Sequence, residues 1–138
     1  MVVYLSQEWL DECRRLINED DSLQKAARGK FSATFQHDVT GVPAALGGQD
    51  IAFYSIFEDG RSLDIRLGTI DSPEIYLAAD YRTWERIHKG EAGMVSSALL
   101  GRLEFKVRLL WGMKLGLKYH KMFKMGDVIA TIPTDFPG

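Results

Sequence analysis

The chain has 138 residues, of which 46% are hydrophobic and 26% are charged, as is typical of one globular domain with a hydrophobic core. The net charge of -2 argues against general nucleic-acid binding, which usually requires a strongly basic domain. Cys13 is the only cysteine, which excludes an intrachain disulfide, and no segment approaches the ~20 apolar residues of a membrane span.

Neither end of the chain has the pattern of a targeting signal. The first residues, Met-Val-Val-Tyr-Leu-Ser, have no basic region, and their apolar run is too short for a signal peptide. The last residues, Asp-Phe-Pro-Gly, differ from a peroxisomal address. We therefore expect a soluble cytoplasmic protein that forms a single domain over residues 1–138.

The first predicted element is an amphipathic helix over residues 6–20, with Ser6 as its N-cap. Its apolar side chains recur at the i, i+1, i+4, i+7, i+8 spacing of one buried helix face. These side chains are Trp9, Leu10, Cys13, Leu16 and Ile17. A short helical segment follows at residues 22–28.

Five segments have the residue pattern of β-strands: 30–37, 51–58, 61–67, 75–79 and 102–107. Asp59 and Gly60 predict a hairpin turn between the second and third strands, because glycine readily adopts the positive φ of a tight turn. In the third strand, Leu63, Ile65 and Leu67 alternate with polar residues, so we expect these three side chains to point inward.

Three helices are predicted in the second half of the chain. Asp80 is a good N-cap for a helix over residues 81–89, and a second helix covers 91–100. The third helix covers 108–125 and is unusually rich in lysine, methionine and glycine. The tail at 126–138 contains two prolines and is expected to be extended.

The sequence contains no motif typical of a catalytic or metal-binding site. His37, His88 and His120 lie far apart, and none has the spacing of a metal site. No nucleophile elbow, P-loop or dinucleotide-binding glycine pattern occurs. We interpret His37 and His88 as surface or structural residues, and we expect no catalytic residue, no cofactor and no metal.

Apolar and adaptable side chains are concentrated in the second half of the chain. Four of the five methionines lie within residues 94–125. Methionine is unbranched and polarizable, which suits a surface that accepts ligands of varying shape. Ordinary core packing is the alternative for each of these residues taken singly.

The order of these elements resembles the sterol carrier protein type 2 (SCP-2-like) lipid-binding family over residues 6–125. The matching features are the opening amphipathic helix, the Asp59-Gly60 hairpin, the Asp80-Tyr81-x-x-Trp84 helix, Gly90, and Gly101-Arg102-Leu103 before the last strand. The resemblance implies an α+β fold in which a five-stranded, mostly antiparallel sheet is covered on one face by helices that enclose an apolar tunnel. It also implies binding of a sterol, fatty acid, acyl-CoA or similar lipid without catalysis.

The candidate ligand-binding residues are apolar side chains of the last three predicted helices: Trp84, Ile87, Met94, Leu99, Trp111, Met113, Leu115, Met122 and Phe123. Lys114 and Lys118 are candidates for contact with a lipid headgroup or a membrane. Residues 102–124 contain seven basic residues and one acidic residue, a bias that can mark an anionic partner. A solvated helix face is the alternative explanation of these lysines.

The sequence therefore predicts a lipid-binding or lipid-transfer protein that holds an apolar molecule in an internal hydrophobic tunnel. The first alternative is a protein–protein interaction or homo-oligomerisation module whose cavity is vestigial. The second alternative is a small enzyme for an apolar substrate, built from groups such as Tyr54, Asp64, Tyr119 or His120.

Overall fold

The computed structural model of the chain describes residues 1–27, 32–107 and 125–137. Its elements in chain order are β1 (Val2–Val3), α1 (Gln7–Glu19), α2 (Asp21–Ala27), β2 (Ala33–Thr40), a 3-10 turn (Ala44–Leu46), β3 (Ile51–Glu58), β4 (Arg61–Leu67), β5 (Ile75–Asp80), α3 (Tyr81–His88), α4 (Met94–Leu99), β6 (Leu103–Val107), α5 (Met125–Ile129) and β7 (Thr134–Asp135). The predicted helix over 108–125 lies outside the described residues except for Met125.

The central sheet has five strands in the order β4-β3-β2-β5-β6. Only β2 and β5 pair in parallel, and the three other pairings in this sheet are antiparallel. The β3–β4 hairpin occupies one side of β2, and β5 joins the sheet on the other side. The predicted α+β fold, with one domain and a mostly antiparallel five-stranded sheet, is confirmed.

The local capping signals predicted where helices begin. The Ser6 side chain accepts a hydrogen bond from the Trp9 amide at 3.2 Å, and the Asp80 side chain accepts one from the Thr83 amide at 2.8 Å. These bonds satisfy amide groups that have no partner inside the helix. In α1, the predicted apolar stripe is buried against the rest of the core at Trp9, Leu10, Cys13 and Ile17.

A β-bulge in β4 corrects the predicted inward face of that strand. Ile56 opposes Asp64 whereas Phe57 opposes Ser62, so Leu63 is the extra residue. The bulge turns Ser62 into the core and leaves the Leu63 side chain 48% exposed. The prediction was therefore wrong for Leu63. Ile65 is buried as predicted, and Leu67 lies on the same face opposite the buried Phe53, although it is 46% exposed where this edge strand ends.

The two ends of the described chain pack together. β1 pairs in parallel with β7, and the Tyr4 ring contacts the Phe136 ring with centroids 4.7 Å apart. The tail over 126–138 is therefore not simply extended, because α5 forms at its start and places Met125 and Ile129 against the core. None of the helices in the described ranges combines the length and apolarity that a membrane crossing needs.

Candidate functional site

The helix-covered face of the sheet carries three rows of residues that run in register across β2, β5 and β6. From first to third, the rows are Val39-Ala79-Leu103, His37-Leu77-Phe105 and Phe35-Ile75-Val107. The first row is buried, Phe105 in the second row is 46% exposed, and Val107 in the third row is half-buried. On this face, exposure therefore rises from the buried Leu103 to Phe105 in the middle of β6, the strand beside α4.

A cleft with a volume of about 210 Å³ lies between the end of α3, the start of α4 and α5. Its lining residues are Ile87, Gly90, Glu91, Ala92, Gly93, Met94, Gly126 and Asp127. Ile87, Ala92 and Met94 give it an apolar wall, and the exposed Glu91 and Asp127 give it an acidic rim. At roughly 30 Å³ per water molecule, the cleft is as large as about seven waters.

Glycines allow the turn between α3 and α4 to approach α5 closely. Gly90 has φ +79°, a conformation that few other residues adopt, and a Cβ at this position would lie 3.4 Å from the Cβ of Ala130. A Cβ on Gly93 would lie 3.2 Å from the Ser96 hydroxyl oxygen. The cleft is thus bounded by backbone at positions where side chains would narrow it.

The structure brings together two of the predicted ligand-binding residues. Ile87 and Met94 line the cleft, and both contribute to the hydrophobic core around it. Trp84 is 1% exposed and lies within the core, whereas Leu99 on α4 is 83% exposed. The remaining candidates lie outside the described residues: Trp111, Met113, Lys114, Leu115, Lys118, Met122 and Phe123.

Trp84 belongs to a buried cluster of aromatic and imidazole rings that joins α3 to the sheet and to the start of the chain. Its indole Nε1 donates to the carbonyl oxygen of Asp38 at 2.9 Å, and its ring stacks on His88 with centroids 5.4 Å apart. The Tyr4 hydroxyl oxygen lies 2.5 Å from Nδ1 of His88. Burial lowers the pKa of His88 to about 3, so the imidazole is neutral at ordinary pH.

His37, on β2, is a second imidazole in this region; the residue is half-buried, and its Nδ1 atom is enclosed. Its ring stacks on Phe53 with centroids 4.3 Å apart, and its Nε2 lies 3.4 Å from the Ser55 hydroxyl oxygen. Burial and then the nearby His88 lower the pKa of His37 to about 3. The positions of both histidines support the structural interpretation over the surface one.

A second depression, of about 450 Å³, lies between α1 and β4 and is mainly polar. Its lining residues are Gln7, Asp11, Arg14, Leu63, Asp64 and Arg66. The Arg66 guanidinium pairs with the Asp64 carboxylate at 2.8 Å. These charged walls do not suit an apolar ligand, so the cleft at Ile87 and Met94 is the better candidate.

Side chains of α1 cover the outer edge of β4. Gln7, Arg14 and Asn18 hydrogen-bond to backbone groups that an edge strand leaves without a strand partner. The side chains of Asn18, Arg14 and Gln7 donate to the carbonyl oxygens of Ser62 (2.9 Å), Leu63 (3.0 Å) and Ile65 (3.0 Å), respectively. The Asn18 and Gln7 side-chain oxygens accept from the amides of Ser62 (2.8 Å) and Leu67 (3.0 Å).

Within residues 1–27, 32–107 and 125–137, no group of three or more His, Cys, Asp and Glu side chains could hold a metal ion. Of the groups named for an enzyme, Asp64 is held in the ion pair with Arg66, and Tyr54 lies opposite Arg66 on β3. Tyr119 and His120 lie outside the described residues.

Sequence reasoning missed the residues that α5 contributes to the cleft. Gly126 and Asp127 were placed in an extended tail, yet both line the cleft opposite Met94. The available signal was the spacing of Met125 and Ile129, which are four residues apart and therefore share one face of a helical turn.

No model of a known protein family matches the chain, and no curated protein matches it in sequence. Solved structures do match its fold. A crystal structure of sterol carrier protein 2 superposes with a TM-score of 0.79 at 19% identity, covering 94% of this chain and 98% of the other.

Two further structures agree with this match. A protein from Thermus thermophilus, described as possibly a sterol carrier protein, gives a TM-score of 0.75 at 18% identity and covers 96% of this chain and 94% of its own. A palmitated sterol carrier protein 2-like 2 from Aedes aegypti gives 0.54 at 15% identity, with 84% and 96% covered. The chain therefore has the SCP-2-like fold that its sequence pattern resembles.

Proposed function

We propose that this protein binds and transfers an apolar lipid without catalysing a reaction on it. The observation that carries the proposal is the cleft with an apolar wall at Ile87 and Met94, in a fold that matches sterol carrier protein 2. The palmitated Aedes aegypti structure adds support, because its fold holds a fatty acyl group. The candidate ligands are a fatty acid, an acyl-CoA, a sterol or a similar lipid.

Removal of apolar surface from water drives binding in this proposal, at about 25 cal/mol per Å². Ligand pockets typically have volumes of ~300–1,000 Å³, so a cleft of about 210 Å³ suits one part of a lipid better than the whole molecule. The other candidate lining residues, Trp111, Met113, Leu115, Met122 and Phe123, would enclose the remainder of an internal tunnel.

The rim of the cleft restricts which part of a lipid enters it. Glu91 and Asp127 carry negative charge at the mouth, and like charges in proximity repel. A carboxylate or phosphate headgroup is therefore disfavoured here, and the apolar end of the ligand would occupy the space beside Ile87 and Met94. Lys114 and Lys118 are the proposed contacts for an anionic headgroup or a membrane.

The first test is native mass spectrometry of the purified protein, followed by organic extraction of any bound molecule. A stoichiometric lipid would support the proposal and identify the ligand class. A clean apo mass that does not change after incubation with fatty acids, acyl-CoA and sterols would contradict it. Concentration-dependent self-association without lipid would then favour the interaction module.

A pair of variants on α4 tests the position of the ligand. Met94→Lys places a charge in the apolar wall, and we expect at least a tenfold loss of retained lipid, because burying an unpaired charge is unfavourable. Ser96→Lys is the matched control, because it adds the same charge at an exposed position two residues away. Equal lipid retention in both variants would exclude the cleft as the binding site.

A further inference from the structure

β6 (Leu103–Val107) forms one end of the central sheet, and in the part of the chain that the structure describes it has a strand partner, β5, on one side only. A strand in this position presents backbone N–H and C=O groups that can pair with another chain. The other end of the sheet differs, because Gln7, Arg14 and Asn18 hydrogen-bond to the backbone of β4. Within the described residues, β6 is therefore the end at which a further strand can be added.

The sequence of β6 is complementary to itself when two copies run in opposite directions. Its residues are Leu103, Glu104, Phe105, Lys106 and Val107. If Phe105 lies opposite Phe105 of a second copy, Glu104 lies opposite Lys106 of that copy, and Leu103 lies opposite Val107. Residues directly opposite each other in an antiparallel pair lie on the same face of the sheet, with Cβ atoms ~4.5–5.5 Å apart. This register therefore joins aromatic, apolar and oppositely charged side chains.

Charge distinguishes this register from its neighbours. A shift of the two-fold axis by one residue along β6 places Glu104 opposite Glu104 of the second copy, or Lys106 opposite Lys106. Like charges directly opposite each other destabilise a strand pair. Of these three registers, only the one centred on Phe105 pairs each acidic side chain with a basic one across the interface.

Both charged side chains of β6 are accessible to a second copy. The side chain of Glu104 is 51% exposed and that of Lys106 is 69% exposed, and their carboxylate oxygen and Nζ atoms lie 3.0 Å apart. In the paired strands, the two ion pairs of the single chains would become one group of four alternating charges. A network of this kind stabilises more than an isolated surface ion pair does.

The exposure of Phe105 also indicates a partner. Phe105 lies on the helix-covered face, opposite the buried Leu77 of β5, yet it is 46% exposed. The register centred on Phe105 brings the rings of both copies together and removes apolar surface of each from water. Aromatic pairs are favourable cross-strand contacts, and their rings contribute beyond the area that they bury.

We propose that two copies of this chain form a symmetric dimer through antiparallel pairing of their β6 strands. Such an interface uses the same surface on both copies, as two-fold symmetry requires. The two sheets become continuous, with the helices of both copies on one face. The assembly ends at two copies, because α1 side chains bond to the β4 strand at each outer end. The dimer does not depend on a bound lipid.

The charge pattern favours a second copy over an extended segment of another protein. Strand addition at a sheet edge admits any extended peptide through its backbone, and side chains supply the specificity. The partner strand must carry an apolar residue between an acidic and a basic one, in an order that matches when the strand runs in reverse. β6 itself meets this requirement at Glu104, Phe105 and Lys106.

The test is sedimentation equilibrium of the full chain at protein concentrations from about 1 μM to about 1 mM, a range that covers weak and small interfaces. We expect a reversible equilibrium between monomer and dimer. Glu104→Lys and Lys106→Glu should each weaken the dimer by at least about tenfold, because each substitution turns both cross-strand ion pairs into contacts between like charges.

An exchange of charges separates a contact between chains from a general effect of charge. The double variant Glu104→Lys with Lys106→Glu restores opposite charges across the interface and should dimerise as the wild type does. An equimolar mixture of the two single variants should form a heterodimer for the same reason. Phe105→Glu should also weaken the dimer by at least about tenfold. Leu63→Glu is its matched control, because Leu63 is 48% exposed on β4, at the other end of the sheet.

Several results would overturn this inference. They are a chain that stays monomeric up to the highest concentration, an oligomer larger than a dimer, single charge variants that dimerise as tightly as the wild type, or a double variant as weak as the single ones. Equal weakening by Leu63→Glu and Phe105→Glu would also overturn it. Circular dichroism verifies that each variant is folded. If a charge variant does not fold, the comparison of Phe105→Glu with Leu63→Glu decides the result.

Discussion

The two edges of the central sheet lie beside helices whose side chains differ in kind. At the β4 edge, Gln7, Arg14 and Asn18 of α1 hydrogen-bond to the backbone of the strand. At the β6 edge, the adjacent helix α4 exposes apolar side chains, of which Leu99 is 83% exposed. Both helices lie on the same face of one sheet, so the contrast arises from the side chains and not from the topology.

The α1 side of the molecule stabilises the fold, whereas the α4 side carries the proposed binding cleft. On the α1 side, polar groups of an edge strand have partners, and aromatic rings are buried. On the α4 side lie the cleft at Ile87 and Met94, the turn at Gly90, and exposed leucines. Substitutions on the two sides should therefore affect different measurements.

Acidification should destabilise the buried core to which α1 and α3 both contribute. His37 and His88 have a pKa of about 3 in the folded protein, against 6.5 for an ordinary histidine. Above pH 6.5 their contribution to stability is fully present, and it decreases toward pH 3 because only the unfolded chain takes up protons. At pH ~5 the expected loss is about 2 kcal/mol per histidine, or about 4 kcal/mol together.

Chemical denaturation between pH 7 and pH 5 measures this loss as a change in the free energy of unfolding. The control is His88→Gln. Whatever its effect on stability at pH 7, this substitution should reduce by about half the change in the free energy of unfolding between pH 7 and pH 5. A free energy of unfolding that is the same at both pH values would show that the two imidazoles are not buried in their neutral form.

A single substitution can remove part of the hydrogen bonding between α1 and the β4 edge. Asn18→Ala removes two hydrogen bonds to Ser62, of 2.9 and 2.8 Å, and should decrease the free energy of unfolding by about 2 kcal/mol. Arg15→Ala is the control on the same helix. Arg15 is half-exposed and forms surface ion pairs with Glu12 and Glu19, so its loss should leave the free energy of unfolding nearly unchanged.

Urea denaturation of both variants measures the difference. If Asn18→Ala were as stable as Arg15→Ala, the edge of β4 would not depend on α1 side chains, and the comparison between the two edges would lose its basis. Self-association of Asn18→Ala would sharpen the comparison, because an unpaired strand edge can pair with another chain.

The smallest expected effect is on the α4 side. Leu99→Ser should change the free energy of unfolding by less than about 0.5 kcal/mol, because the side chain is 83% exposed and a surface substitution removes little packing. Thermal unfolding monitored by circular dichroism is the measurement. A loss of about 2 kcal/mol or more, as for a buried leucine, would show that Leu99 is part of the core.

Most of the fold could be predicted from local sequence because the responsible signals are local. Ser6 and Asp80 cap helices through bonds to residues three positions away, and the Asp59-Gly60 turn joins adjacent strands. The inward face of β4 could not be predicted, since the bulge at Leu63 appears only when β4 pairs with β3. A shift by one residue reverses which side chains face the core.

Less of the candidate site than of the fold could be predicted from the sequence. Ile87 and Met94, two of the candidate lining residues, both line the cleft, yet Gly126 and Asp127 come from a helix that the sequence pattern did not reveal. The apolar residue types of Trp84 and Leu99 could not distinguish a core position from an exposed one. Only the packing of α3 and α4 against the sheet assigned them to opposite environments.

The sequence by itself determined the α+β class, the strands of the central sheet and the starts of its main helices, because hydrophobic periodicity and capping act over a few residues. The tertiary structure alone decided the edge contacts of α1, the burial of His37 and His88, and the placement of α5 beside Met94. These features depend on contacts between residues far apart in the chain, which no local pattern encodes.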